Sequence, residues 1–296
     1  MLEEIGSAIG EAAGIWGPAV VGIGRRGSGV VVGPGEVLTL ASNIGDPSAE
    51  VAVALSGAPG GRARAGTVAG VDGTLDLALI HVATGEIAPL EWAAGPADLG
   101  QAVIALANPG GQGLRATLGF VAATGRSYRG PRGRLVGGAL EHTAPLPRGA
   151  GGGPLLDVRG RLLGLNAVRV HGGLILTLPG AAVAERAAVL RRPEPTDTPQ
   201  LGVAIVSPQV ARRLRRAVGL PDRDGLLVHG VAAGSPADQA QIREGDLIVA
   251  AGQAPVDRLD ALYAALDRVS PTGTVDLRIV RGVDEHDVAV SFGGSR

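Results

Sequence analysis

Side chains able to move protons near neutral pH are few in this chain. Five histidines, His81, His142, His171, His229 and His286, stand far apart, and no two have the close spacing of a metal-binding motif. They read as surface or strand residues. Cysteine is absent, which excludes a disulfide framework and a zinc-thiolate site. Nothing in the sequence calls for a cofactor or a metal. The densest unusual segment is the run Gly149-Ala150-Gly151-Gly152-Gly153-Pro154-Leu155, which alone specifies no chemistry. Arg212, Arg213, Arg215 and Arg216 form the one local charge cluster, expected to be the solvated face of a helix.

The elements that must position these residues are short. Leu2, Ile5, Ile9 and Ala12 fall near helical spacing at the N-terminus. Apolar runs at 20–23, 29–32, 37–40, 51–55, 77–82, 102–107, 118–122, 162–167 and 174–178 read as strands. They are separated by turn signals such as Gly33-Pro34-Gly35 and Asn108-Pro109-Gly110-Gly111, a rhythm that suits all-β barrels or sandwiches. Residues 181–190 read as a closing helix. The run from Arg192 to Pro199 is proline-rich and polar, and reads as a linker. Beyond it a smaller α+β pattern begins: a strand at 201–206, then Ser207-Pro208 as the N-cap of a helix to about Val218. That helix places Val210, Leu214 and Ala217 on one face. Strands at 225–231 and 246–251, a helix at about 259–269, and strands at 274–280 and 287–292 complete it. The expected division is residues 1–190, a linker at 191–199, and a second domain at 200–296.

Composition bounds the function. With 296 residues and 45% apolar content the chain can bury real cores, while 49 glycines and 20 prolines favour tight turns over long helices. An aromatic content of 2% argues against a base-stacking platform, and a net charge of −1 gives no field for nucleic acid or an anionic membrane. No run approaches the roughly 20 apolar residues of a membrane span. The first seventeen residues carry Glu3, Glu4 and Glu11 and no basic residue, so no export signal is expected.

The glycine-rich heptad resembles the Gly-Asn-Ser-Gly-Gly-Pro-Leu signature around the nucleophile of HtrA and other trypsin-like proteases. Leu162-Leu163-Gly164-Leu165-Asn166 follows where that family carries Val-Val-Gly-Ile-Asn. Asn108-Pro109-Gly110-Gly111, Gly119-Phe120-Val121-Ala122, Thr74-Leu75-Asp76-Leu77-Ala78-Leu79-Ile80 and Gly35-Glu36-Val37-Leu38-Thr39 match further family elements in order. In the second half, Gly225-Leu226-Leu227-Val228, Gly234-Ser235-Pro236-Ala237 and Gly245-Asp246-Leu247-Ile248 resemble the PDZ domains of bacterial HtrA proteins. The resemblance implies a mainly β chain: a chymotrypsin-like double β-barrel followed by an α+β PDZ domain. Relatives usually act outside the cytoplasm, and many are trimers. Trp16, near the family's oligomerising region, is then a candidate contact or a core residue.

Acyl transfer by such an enzyme needs a hydroxyl nucleophile, an imidazole to take its proton, a carboxylate to orient the imidazole, and backbone donors for the oxyanion. Carried over by position, the resemblance puts the histidine site at Ser42, the aspartate at Asp76 and the serine at Gly151. Only Asp76 keeps its type. A serine hydroxyl is too weak a base to replace imidazole, and glycine offers nothing that attacks. The oxyanion donors implied are the amides of Gly149 and Gly151. The approach from His142 to Arg148 also departs from the family pattern, as natural loss of function would. Asp76 is expected to accept bonds from Ser42 or nearby amides.

For the second domain, the resemblance implies peptide capture by strand addition, with backbone amides holding a C-terminal carboxylate. The loop and strand implied are Gln200-Leu201-Gly202-Val203-Ala204-Ile205, and Leu259 and Tyr263 would form the opposite wall. Leu262 and Leu266 are expected in the core. Three functions stay open: a non-catalytic binder of C-termini or unfolded chains, a serine protease with another catalytic set, and a regulatory subunit of active relatives.

Overall fold

The computed structural model of the protein describes residues 2–47, 49–55, 63–130, 135–192, 199–206, 208–217, 219–270 and 272–293. The chain forms two compact units, Met1–Thr196 and Asp197–Arg296. The expected N-cap Ser207 and most of the expected linker, 193–198, lie outside the described residues.

In the first unit, helix α1 (Leu2–Trp16) precedes β1 (Val20–Ile23), β2 (Gly27–Gly33), β3 (Glu36–Leu40), β4 (Val51–Ala54), β5 (Arg64–Asp72) and β6 (Leu77–His81). These close as an antiparallel barrel in the order β1-β2-β3-β6-β5-β4. A second barrel follows: β7 (Ala102–Ala107), β8 (Arg115–Arg129), β9 (Leu135–His142), β10 (Pro154–Asp157), β11 (Leu162–Arg169) and β12 (Ile175–Pro179). Its order is β10-β11-β12-β9-β8-β7. Helix α2 (Gly180–Leu190) packs on β5, β6 and β11. Strands β1, β2 and β10 are buried along their whole length, because one face lines a barrel and the other is covered. Their Val-, Gly- and Leu-rich sequences reflect that two-sided burial. Each fully buried aliphatic side chain, such as Leu38, Leu79 or Leu155, contributes about 2 kcal/mol of transfer free energy.

The second unit has β13 (Val203–Ile205), α3 (Pro208–Ala217), β14 (Leu226–Val231), α4 (Pro236–Gln239), β15 (Leu247–Ala251), β16 (Ala254–Pro255), α5 (Leu259–Leu266), β17 (Thr274–Arg281) and β18 (Asp284–Ser291). The sheet runs β13-β14-β15-β17-β18, with β16 against β15. Ser235 caps α4 by accepting from the Asp238 amide at 3.3 Å, as the Gly-Ser-Pro-Ala spacing requires. The buried Asp246 carboxylate closes its turn by accepting from the Arg243 amide and both arms of Arg281 at 2.8 Å. Among the described residues no helix is long and apolar enough to cross a membrane.

Some expectations fail. Strands β5, β9 and β10 have no counterpart among the apolar runs, and β8 is three times longer than its apolar stretch. Helix α5 stops at Leu266, and the chain to Val269 continues in tighter turns. Helix α3 buries Ala211 and Arg215, leaving Val210 and Leu214 each 45% exposed. The reason is the small patch it covers, Leu227, Leu247 and Val280, which suits a methyl group and an aliphatic stem. The arginine cluster is therefore no uniform solvated face. Arg215 is buried, donating to the carbonyls of Pro221 (3.4 Å) and Gly282 (3.3 Å), while Arg212 pairs with Asp224 and Arg216 with Asp222.

Candidate functional site

Strand β3 ends at Leu40, and Ala41–Asn43 tighten into a 3-10 turn carrying Ser42 and Asn43. Asp76, just before β6, is buried and adopts a left-handed backbone (φ 57°), a conformation an aspartate tolerates better than most residues. Its carbonyl accepts from the Ala41 amide at 2.7 Å. Its carboxylate accepts from the Ser42 amide at 2.9 Å and from the Ser42 hydroxyl at 2.7 Å. Each Ser42 donor is thus spent on the carboxylate.

The next residue joins this pair to the second barrel. Asn43 Nδ2 donates to the Gly151 carbonyl at 2.8 Å and to Thr39 Oγ1 at 2.9 Å, and the Ser28 amide donates to the same Gly151 carbonyl at 3.1 Å. Ser42, Asp76 and Gly151 are therefore brought to one place, with Asn43 as the link. Gly151 does not have a positive φ, and a Cβ there would meet Leu40 Cδ1 at 3.0 Å, a contact a small leucine shift relieves. Gly152 differs: its φ is 86°, and a Cβ would collide with the Ser28 carbonyl oxygen. The turn is pinned against β2 at Gly152 and left open at Gly151.

Within this turn the amides of Ala150, Gly152 and Gly153 donate to the carbonyls of Pro147, Asn166 and Ala150. Among the described residues the amides of Gly149 and Gly151 have no acceptor. Both glycines line a cavity of about 370 Å³, bounded by residues 146–151, 166–169 and Ile175.

Two residues of the site escaped the sequence reading. Asn43 is one. The other is Tyr128, near the far end of β8, whose phenol is pushed above its usual range by burial and then by the Asp76 charge. A chain-distant strand end gives no local signal for such a role. His142, read as a surface or strand residue, is a strand residue on β9 and wholly buried. Its Nε2 pairs with Asn166 Oδ1 at 2.9 Å, and Nδ1 has no partner among the described residues. Burial, opposed by the Asn166 bond, lowers its pKa and keeps the ring neutral. Asn166 Oδ1 also accepts from Thr177 Oγ1 at 3.0 Å, so this histidine serves the wall behind the cavity. His81 is exposed on β6. Among the described residues no three His, Asp or Glu side chains could hold a metal.

In the second unit, Gln200 and Ala204 are exposed, whereas the Leu201 side chain is 3% exposed and belongs to the core. A peptide cannot touch that side chain. The carbonyls of Leu201 and Gly202 accept from the amides of Ala237 and Ala232 at 2.9 and 2.8 Å, so only the amides of this turn remain to be offered. Gly202 has φ 76°, and a Cβ would collide with Ser235 Cβ. Strand β13 pairs with β14 on one side and ends the sheet on the other. Val203, Ile205, Leu259 and Tyr263 are half-buried on one core cluster, in which Leu262 and Leu266 are 2% exposed, as expected.

These features agree with comparisons to known proteins. A family profile described as a trypsin-like peptidase domain matches residues 27–165, and one described as a PDZ domain matches residues 199–292. The putative serine protease HhoA of Synechocystis sp. is 28% identical over 88% of this chain and 68% of its own length. HhoB of the same organism is 32% identical over 76% of this chain and 56% of its own length. A probable periplasmic serine endoprotease of the DegP-like type from Chlamydia pneumoniae is 27% identical over 86% of this chain and 52% of its own length. The chain thus spans about half the length of the DegP-like relatives it matches. Among solved structures, the HtrA-type protease AlgW with a decapeptide has TM-score 0.60 at 20% identity, covering 96% of this chain and 97% of that one. The serine endoprotease from Yersinia pestis has TM-score 0.58 at 23% identity, covering 96% of each chain. At such identities the two structures show a common fold. The chain is a homologue of the HtrA/DegP-type serine proteases, a trypsin-like peptidase domain followed by a PDZ domain.

Proposed function

We propose that this chain has lost peptidase activity and acts as a binding protein for polypeptide C-termini or unfolded segments through its PDZ unit. The observation that carries the reading is the Ser42–Asp76 pair. Proton transfer in this fold needs an imidazole between the carboxylate and the nucleophile, and here a hydroxyl donates to that carboxylate directly. A serine in that role takes no proton near neutral pH. Gly151, the residue on the turn where attack would begin, carries no side chain, so neither end of the relay is present.

Binding is supported by the second unit. An open strand edge, a turn whose carbonyls are already engaged, and a half-buried apolar wall are what strand addition with carboxylate capture uses. AlgW was solved with a decapeptide, which suits the same use here. Self-assembly is also part of the proposal, with the end of α1 as its contact. Trp16 there is half-buried on its own core, its ring lying over Gly160.

The deciding experiment compares degradation of a fluorescently labelled unfolded protein by the unaltered chain and by the Ser42→His, Gly151→Ser double variant. The unaltered chain is expected to be silent. Cleavage that survives repurification and the Asp76→Ala substitution sinks the non-catalytic reading.

A further inference from the structure

The cavity beside the Gly149–Gly153 turn has features that a vacated protease pocket does not need. We propose that it is a receptor for a polypeptide carboxylate, held by Arg148, Arg169 and the unspent amides of Gly149 and Gly151. The inference rests on the non-catalytic reading in one respect only, that the bound polypeptide stays intact.

Charge is the first argument. Arg148 and Arg169 line the cavity, and no acidic residue does. Four other arginines of this unit are paired with carboxylates: Arg161 with Asp157, Arg186 with Asp72, Arg191 with Glu36 and Arg126 with Glu141. Among the described residues neither Arg148 nor Arg169 meets a carboxylate. Two uncompensated guanidiniums around one concavity favour a planar anion with two oxygens, which their donor geometry matches.

The backbone supplies the second. The amides of Gly149 and Gly151 are unspent while their neighbours' are used, and both residues border the cavity. Backbone amides in such turns stabilise anions. In a working protease the oxygen they serve is transient, and a nucleophile side chain crowds it. Gly151 removes that crowding, so a stable carboxylate can take the place of the transient one.

Size and lining give the class of ligand. About 370 Å³ suits one residue rather than a nucleotide, and Leu146, Pro147, Val168 and Ile175 offer apolar wall for its side chain. The net charge of −1 gives no broad field for polyanions. The carboxylate therefore belongs to a polypeptide, from its C-terminus or from a Glu or Asp side chain.

The test uses the full chain and three photo-crosslinkable peptides of one sequence. One ends in an aliphatic residue as the free acid, one is its C-terminal amide, and one is the amide with Glu at the last position. Affinities are read by fluorescence anisotropy and crosslinks are located by mass spectrometry. A carboxylate-bearing peptide is expected to crosslink within 146–151 or 166–169, and to bind at least tenfold more weakly to the Arg148→Glu, Arg169→Glu variant. Preference for the free acid or for the Glu amide assigns the source. Equal binding of the neutral amide overturns the proposal, as does a reversal variant within twofold of the unaltered chain. Crosslinks confined to 200–205 and 259–263 also overturn it and leave the PDZ reading standing. A shortened peptide would overturn the non-catalytic reading instead, and the crosslink position would still decide this one.

Discussion

In the trypsin-like unit, the groups that chemistry demands are side chains, held in place by backbone. In the PDZ unit, the groups that the proposed peptide site would use are the backbone itself: the turn at Gly202 and the edge of β13. On the proposed reading, changing two residues, Ser42 and Gly151, erases the first kind of site, while the turn, the seam bonds through Asn43 and the cavity remain. The second kind survives wide divergence, because any sequence that keeps the strand and the glycine turn keeps the donors. Catalysis and recognition therefore have different tolerances within one chain. That contrast explains how a homologue can part with one and retain the other.

Restoring side chains to the first site should give the largest effect. The Ser42→His, Gly151→Ser variant is expected to gain at least about 10³-fold in cleavage rate over the unaltered chain, and either single change should stay silent. At position 151 a Cβ meets Leu40 Cδ1 at 3.0 Å as its tightest contact. A silent double variant with intact folding would show that the backbone, too, has left the productive geometry.

Next come two positive-φ glycines, one taken from each site. Gly152→Ala combines left-handed strain with a collision against a main-chain oxygen, and should cost about 3 kcal/mol of stability. Both tryptophans, Trp16 and Trp92, lie in the first unit, so tryptophan fluorescence in urea reports that loss alone. Gly202→Ala combines the same left-handed strain with a collision against Ser235 Cβ, on the residue that caps α4. It should weaken C-terminal peptide binding about tenfold, by displacing the amides that take the carboxylate, and leave the tryptophan-reported transition unchanged. If Gly202→Ala bound peptide normally, the contrast between the sites would collapse.

The smallest effect is one of pH. His142 is buried neutral, with a pKa below the ordinary 6.5. The unfolded chain therefore takes up a proton first as pH falls. Stability of the first unit is full above about 6.5 and declines below it, until the folded-state pKa is reached. A single proton limits the slope to about 1.4 kcal/mol per pH unit. Urea midpoints at pH 7.5 and 5.5, compared with those of His142→Gln, check this.

What was legible in the sequence follows the same division. Strands rich in aliphatic residues, such as β1, β3 and β7, announce themselves, and so do the glycine turns. Strand β5 does not, since Arg64-Ala65-Gly66-Thr67 lacks both alternation and bulk, and its pairing with β4 and β6 comes from the barrel closing around it. Ser42, Asp76 and Gly151 could be located through ordered motifs, and the Ser42–Asp76 bond followed from the need to satisfy a carboxylate. The influence of the Asp76 charge on Tyr128 could not, because the two are more than fifty residues apart in sequence. Arg215 misled for a local reason: charge density predicts exposure, whereas the helix had only a shallow apolar patch to cover.

The shortness of β13 has one more consequence. A strand edge that invites a peptide also invites another copy of the same chain, and long open edges are where sheets add to one another without limit. At three residues, with a register shift between Ala204 and Ile205, this edge offers too few main-chain bonds to hold an arbitrary strand. Only a partner that also reaches the glycine turn or the apolar wall can stay. The same brevity that weakens the edge as a sheet guards the protein against polymerising through it.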